Sequence, residues 1–159
     1  MHKILNLAKL NHILEKIKKN KQLIVLTGGC FDILHIGHIK FIKEAKKGGD
    51  KLFVLLESDK KVKNLKGDKR PIFKQKERAI MLSAISDIDY VVKLPFMKSD
   101  EDYNRLVLRI KPDIIAVTEN DPYLAKKKKQ ANLVGGKIKI IPMVKTFSSS
   151  RLTKILNLQ

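Results

Sequence analysis

An open parallel α/β sheet of five strands, doubly wound by helices on both faces, is the fold class this sequence predicts, and three observations predict it. Short apolar runs alternate with helix-period patterns along the whole chain. A glycine turn, Thr27-Gly-Gly-Cys-Phe-Asp-Ile-Leu-His-Ile-Gly-His38, joins the first strong apolar run to a helical pattern. The 159 residues are 43% apolar, enough to bury a substantial core without staples. Residues 1–159 are expected to form a single domain, with residues 1–20 an N-terminal amphipathic helix packed on it.

The elements follow in order. Asn6 to Lys19 places Leu7, Leu10, Leu14 and Ile17 on one stripe with lysines opposite, the pattern of an amphipathic helix. A first strand is predicted from Gln22 to Thr27, then a helix from Gly37 to Lys47 with His38, Phe41, Ile42 and Ala45 on one face, stopped by Gly48-Gly49. Leu52 to Leu56 is a second strand. Glu57 to Pro71 is polar, basic and broken by Gly67 and Pro71, so a short helical piece and a mobile loop are expected there. Phe73 to Ile85 returns to helical period, with Ala79, Met81, Leu82 and Ile85 inward and Lys74, Lys76, Glu77 and Arg78 on the polar side.

Tyr90 to Leu94 is a third strand. Ser99-Asp-Glu-Asp102 forms a capping box for a helix that ends before Pro112. Asp113 to Val117 is a fourth strand. Asp121-Pro122 offers an N-cap and a first-turn proline for a helix to about Val134, closed by Gly135-Gly136. Ile138 to Ile141 is the fifth strand, and Ser148 caps a last helix. In such sheets ligands sit beyond the C-terminal strand ends, where strand order reverses. Turn 28–35, loop 57–71, the segment after Val117 and the Ser148 cap all open onto that edge.

A net charge of +18, from 34 basic and 16 acidic residues, favours anionic partners: nucleotides, phosphorylated metabolites, RNA or an acidic surface. Six phenylalanines, three tyrosines and no tryptophan are sparse for a base-stacking platform, and the Lys126 to Lys129 run reads as a solvated face, so a nucleic-acid partner is not expected. No apolar run approaches the roughly 20 residues of a membrane span. The N-terminus lacks the core and cleavage site of a secretory signal, so a cytoplasmic protein is expected. Cys30 is the only cysteine, which excludes an intrachain disulfide and fits a reducing compartment. It is either a space-filling residue under the turn or a nucleophile awaiting a base.

The turn carries the chemistry. Glycines admit a close backbone approach, and the helix start offers unpaired N–H groups and partial positive charge, a common phosphate site. His35 and His38, three apart, can face one pocket beside those donors, where bound phosphate would favour their protonated forms. Two other readings stand beside this one: a structural and a surface histidine, or a metal held by Cys30, Asp32, His35 and His38. Four ligands within nine residues would strain that metal site and leave Gly28-Gly29 without a purpose.

Gly29-Cys-Phe-Asp-Ile-Leu-His-Ile-Gly-His38 matches the G-x-F-D-x-x-H-x-G-H signature, and over nearly its whole length the sequence resembles the cytidylyltransferase-like nucleotidyltransferases. Further landmarks are Asn64-Leu-Lys-Gly67, Arg70-Pro71, Glu77-Arg78, Lys111-Pro-Asp113 and Phe147-Ser-Ser-Ser150. The spacings are most similar to the adenylyltransferase domain of ADP-heptose synthase, and nearly as similar to glycerol-3-phosphate cytidylyltransferase and archaeal FAD synthetase. The resemblance implies a Rossmann-like sheet of the HUP type and transfer of a nucleoside monophosphate from an NTP to a phosphorylated small molecule, with loss of pyrophosphate.

It also implies roles. His35, His38, Lys66 and Arg78 are the expected catalytic set. Gly28, Gly29, Cys30, Phe31, Gly37, Ser148 and Ser149 are expected around the nucleotide, and Asp32 either orders the turn or meets the acceptor. Mg²⁺ accompanies the NTP, with no separate protein-held metal. Relatives form dimers, so a homodimer is an expectation, with the apolar N-terminal helix as one contributor. Two departures bear on substrate. Met143-Val-Lys-Thr146 stands where glycerol-phosphate cytidylyltransferases carry Arg-Thr-Glu-Gly, which counts against CTP and for ATP. Thr118-Glu-Asn-Asp121 stands where heptose adenylyltransferases carry Lys-Gly-Gly-Asp, and their kinase domain has no counterpart in these residues. The alternatives to AMP transfer are a CTP-dependent enzyme for a glycerol or head-group phosphate and a non-catalytic nucleotide- or RNA-binding protein.

Overall fold

Successive residues of a strand face opposite sides of the sheet, and the central strands here are apolar on both, so both faces must be covered. A computed structural model describes residues 3–146 and 148–157. The elements are β1 (Ile4–Leu5), α1 (Leu7–Lys19), β2 (Ile24–Gly29), α2 (Ile36–Lys46), β3 (Lys51–Leu56), α3 (Asp59–Lys66), α4 (Gln75–Ser83), β4 (Tyr90–Lys93), α5 (Asp100–Ile110), β5 (Ile114–Thr118), α6 (Leu124–Leu133), β6 (Lys137–Ile141) and α7 (Ser149–Ile155). The strands are parallel and lie in the order β1-β4-β3-β2-β5-β6.

Alternation along the strands divides the core in two. Leu26, Phe53, Leu55, Val92, Ile115 and Val117 face α1, α5 and α6, which contribute Leu10, Ile17, Leu106, Val107, Ile110 and Ala131. Val25, Leu52, Val54, Leu56, Val91 and Ala116 face α2 and α4, which contribute Ile42, Ala45, Ala79 and Leu82. The apolar stripe of α1 is therefore used within the same chain: Leu10 and Ile17 are buried, and Leu7, Ile13 and Leu14 pack partly buried beside them. That removes α1 as an open apolar face for a partner.

The sheet has six strands, not the expected five. Ile4 and Leu5 pair with Val91 and Val92 at the edge, and the Val91 N–H donates to the Lys3 carbonyl at 2.8 Å. Two residues are too few to show a period of two, which is why the pattern passed over them. A second difference is the start of α6. Asp121 accepts the Tyr123 N–H at 2.7 Å and pairs with Lys127 at 2.6 Å, so it closes an Asx-type turn and the helix begins after Tyr123.

The third difference is the segment expected to be a mobile loop. α3 is capped by Ser58, whose hydroxyl accepts the Lys61 N–H at 3.2 Å, and ends at Gly67, with φ at 101°. Residues 70–73 are then fastened to Asp32. Its carboxylate accepts from Arg70 Nε at 2.5 Å, from the Ile72 N–H at 2.9 Å and from the Phe73 N–H at 3.0 Å. The run from Lys63 to Lys69, the last turn of α3 and the residues after it, is exposed on every residue.

Strand order reverses between β2 and β5, where the Thr27 hydroxyl donates to the Ala116 carbonyl at 3.1 Å. The glycine turn leaves the sheet beside this switch point, the general ligand position of open α/β sheets.

Candidate active site

The turn after β2 holds its shape through close contacts that leave no room for larger side chains. A Cβ on Gly28 would lie 3.3 Å from Leu55 Cβ, and one on Gly29 would lie 3.0 Å from the Phe31 ring. Phe31 itself sits at φ 45°, a left-handed conformation uncommon for an aromatic residue, with its ring buried and 5.2 Å from that of His38. A Cβ on Gly37 would lie 2.9 Å from the His35 ring and 3.0 Å from Thr146 Cγ2. Gly37 therefore lets the segment leading to α7 close over the histidine pair.

His35 and His38 cap the same helix. His35 is the N-cap of α2, and its Nδ1 accepts the Gly37 N–H at 3.1 Å, while His38 Nδ1 accepts the His35 N–H at 3.4 Å. The rings are 3.9 Å apart between centroids. An Nδ1 that accepts places the ring proton on Nε2, so each neutral imidazole keeps one N–H donor for a ligand. Burial lowers the His35 pKa. Burial, then the charges of His35 and Lys66, push His38 down to about 4. In the ligand-free protein both rings are thus neutral donors rather than the protonated pair expected with phosphate bound.

The sign of the pH effect follows. A histidine whose folded pKa lies below the ordinary 6.5 contributes stability that is complete above about pH 6.5 and lost as pH falls toward 4. Ring NMR of the ligand-free protein should show His38 flat from pH 8 to about 5, with its transition near 4. A midpoint near 6.5 would disprove the burial argument.

The remaining expected residues divide into those at the site and those beneath it. Lys66 ends α3, is exposed, and lies close enough for its charge to act on both His38 and the Cys30 thiol. Burial pushes that thiol up and Lys66 only opposes it, so Cys30 is no ready nucleophile. Arg78 is not on the polar face of its helix, as its pattern predicts, but fully buried. Its guanidinium donates to the carbonyls of Phe73 at 2.9 Å, Cys30 at 2.6 Å and Glu57 at 3.0 Å, and to Asp59 Oδ1 at 2.7 Å. A guanidinium so occupied positions the turn and does not reach out to a phosphate.

Asp32 is buried at 1% exposure and takes the turn-ordering part of its two expected roles. Burial alone would raise its pKa, but the Phe73 and Ile72 N–H groups and Arg70 outweigh that and hold the carboxyl below its usual range. Engaged by Arg70 and two backbone N–H groups, Asp32 does not face the imidazoles as a fellow ligand. Among the described residues no three His, Cys, Asp or Glu side chains gather to hold a metal. Ser148 is the N-cap of α7 and accepts the Arg151 N–H at 3.2 Å. Phe147 and the Ser149 side chain lie outside the described residues.

Three residues to which the sequence assigned no role complete the picture. Arg70 donates from Nη1 to Thr153 Oγ1 on α7 at 3.1 Å as well as pairing with Asp32. Glu57 follows β3 directly, and its N–H donates to the Gly29 carbonyl at 3.1 Å. Its Oε1 accepts the Tyr103 hydroxyl of α5 at 2.9 Å, while Oε2 is buried with no hydrogen-bond partner among the described residues. Arg70 lies in the Arg70-Pro71 landmark, but nothing local to Glu57 or Tyr103 marks either one.

The cytidylyltransferase-like family model matches residues 26–155. The chain belongs to that family. It is 48% identical over 113 residues to bifunctional protein HldE of Helicobacter pylori strain J99, covering 71% of this chain and 23% of that protein. It is 35% identical over 153 residues to bifunctional protein HldE of Koribacter versatilis, covering 94% of this chain and 30% of that one. The chain thus spans less than a third of the length of these curated relatives. The crystal structure of the lipopolysaccharide core biosynthesis protein from Thermoplasma volcanium superposes with a TM-score of 0.63 at 31% identity, over 79% of this chain and 98% of that one. Pantoate-beta-alanine ligase from Francisella tularensis shares the fold, at TM-score 0.67 and 18% identity over 95% of this chain and 72% of the other. No described helix is long and apolar enough to cross a membrane.

Proposed function

We propose that residues 1–159 act as one catalytic unit that transfers AMP from ATP to the phosphate of a sugar-phosphate-like small molecule and releases pyrophosphate. The observation that carries this reading is the histidine pair: two neutral imidazoles at one helix start, each with its Nδ1 occupied and an Nε2–H left to donate. Relatives named for lipopolysaccharide core biosynthesis and as bifunctional HldE proteins support a sugar-phosphate acceptor over a lipid head group.

In the reaction an acceptor phosphate oxygen bonds to the α-phosphorus as the bond to the β-bridging oxygen breaks, and pyrophosphate leaves with the electron pair. The chain's contribution is positioning and charge. The Nε2–H groups of His35 and His38 donate to triphosphate oxygens as negative charge grows there. Lys66 adds a point charge from the end of α3, and backbone N–H groups of the turn add fixed dipoles. Ser148, and Ser149 beside it, receive the leaving phosphates. Mg²⁺ bound with the triphosphate would supply further neutralising charge. The reaction runs in the cytoplasm, where ATP and sugar phosphates are both present.

The test is pyrophosphate release by the purified chain with ATP and with CTP against a panel of sugar and polyol phosphates. Release with ATP and one sugar phosphate is the expected outcome. Release with CTP and glycerol phosphate would replace this reading with the cytidylyl one. Tight binding of RNA that falls steeply with salt, without release from any pair, would replace it with a binding function.

A further inference from the structure

In-line transfer requires the attacking oxygen and the leaving pyrophosphate to stand on opposite sides of the α-phosphorus. The histidines take one side: His38 packs on Phe31, which belongs to the core between the sheet and α2. The other side of the β2 end is the α5 face of the sheet, where Tyr103 packs on the opposite core. Glu57, one residue beyond Leu56, alternates onto that face, and it is tied to the turn twice: its N–H donates to the Gly29 carbonyl, and its carbonyl and that of Cys30 both accept from Arg78.

We propose that Glu57 and Tyr103 form the acceptor-reading half of this site, in which Glu57 Oε2 accepts a hydroxyl of a polyol phosphate whose phosphate lies toward Lys61 and Lys127. The inference rests on the transfer reading above and deepens it. Glu57 Oε1 is already engaged by Tyr103, whose ring in turn carries Lys61 Nζ at 5.4 Å from its centroid. Oε2 is buried and unpartnered, an acceptor with an unmet bond. Burial raises the carboxyl's pKa, and the positive charges of Lys61, Arg78 and Lys127 oppose that. Those charges repel an ammonium group and leave a neutral donor, a hydroxyl, as the fitting partner. Arg78 spends four of its five N–H donors within the protein and is fully buried. Lys127, although paired with Asp121, is partly exposed and, with Lys61, remains to attract the acceptor's phosphate.

Calorimetry of the full chain tests this with glycerol 3-phosphate and a hexose 1-phosphate as probes, methyl phosphate as the hydroxyl-free control, and phosphoethanolamine as the ammonium control. The wild type should bind at least one hydroxyl-bearing probe about tenfold or more tightly than either control. Glu57→Gln should remove most of that preference while the affinities for methyl phosphate and ATP stay within about twofold. Tyr103→Phe should remove part of it, and carries the test if the first variant fails to fold. No preference in the wild type, or a preference retained in both variants, overturns the inference. Wild-type pyrophosphate release separates the two claims. Release with a polyol phosphate whose KM is unmoved by Glu57→Gln overturns the inference alone, whereas no ATP binding and no release overturns the transfer reading and the inference with it.

Discussion

His38→Ala should lower kcat for pyrophosphate release by about 100-fold or more, and His35→Ala by a similar factor, with little change in melting temperature. The size follows from losing one aligned donor at a developing anionic oxygen. The small structural cost follows from the position of the rings, partly buried at the mouth of the turn and holding only one backbone N–H each. Affinity for ATP should fall less than kcat, since the donor matters most where charge builds in the transition state. Steady-state rates and a thermal melt on the same preparations check both halves. A kcat within about threefold of wild type in either variant would remove that histidine from the chemistry.

Arg78→Met should have the largest effect on stability of any single change at the site. The side chain is fully buried and satisfies three carbonyls from three separate segments, at Cys30, Glu57 and Phe73. Methionine fills much of the space but donates nothing, leaving those oxygens and the Asp59 carboxylate without their shared partner. The cost is about 3–5 kcal/mol by comparison with other broken buried pairs, or a fall of about 10 °C in melting temperature for a domain of this size. Denaturant unfolding checks it, and a loss below about 1 kcal/mol would show that the turn holds itself. Activity should fall as well, since the Cys30 carbonyl belongs to the turn that carries the histidines.

These two residues also mark how far a linear reading reaches. The histidine pair, its glycines and the strand-turn-helix around them are local, so residue type and spacing reveal them together. The central strands are equally legible because each is a continuous apolar run. Arg78 was not legible: helical period assigns a guanidinium to the solvent face, and only the convergence of carbonyls from residues 30, 57 and 73 makes its burial favourable. Glu57 and Tyr103 are 46 residues apart, and their bond depends on which strand lies beside which helix. β1 escaped for the opposite reason, being too short to carry a period while its pairing with β4 spans most of the chain. Arg70 and Asp32 are each ordinary as residues of a polar loop and a turn, and become informative only as a pair.

That pair has a consequence for how the protein is made. Asp32 is held by Arg70, Ile72 and Phe73, and Arg70 reaches on to Thr153 through Nη1. The histidine turn is translated early, yet its last supporting contact lies in α7, 83 residues beyond Arg70. On a ribosome the first strands and helices can collapse as they emerge, but the histidine turn gains its full support only once the final helix is free to dock. A stalled or prematurely released chain would therefore carry the signature residues without the geometry that makes them useful, and the working site would mark synthesis through residue 153.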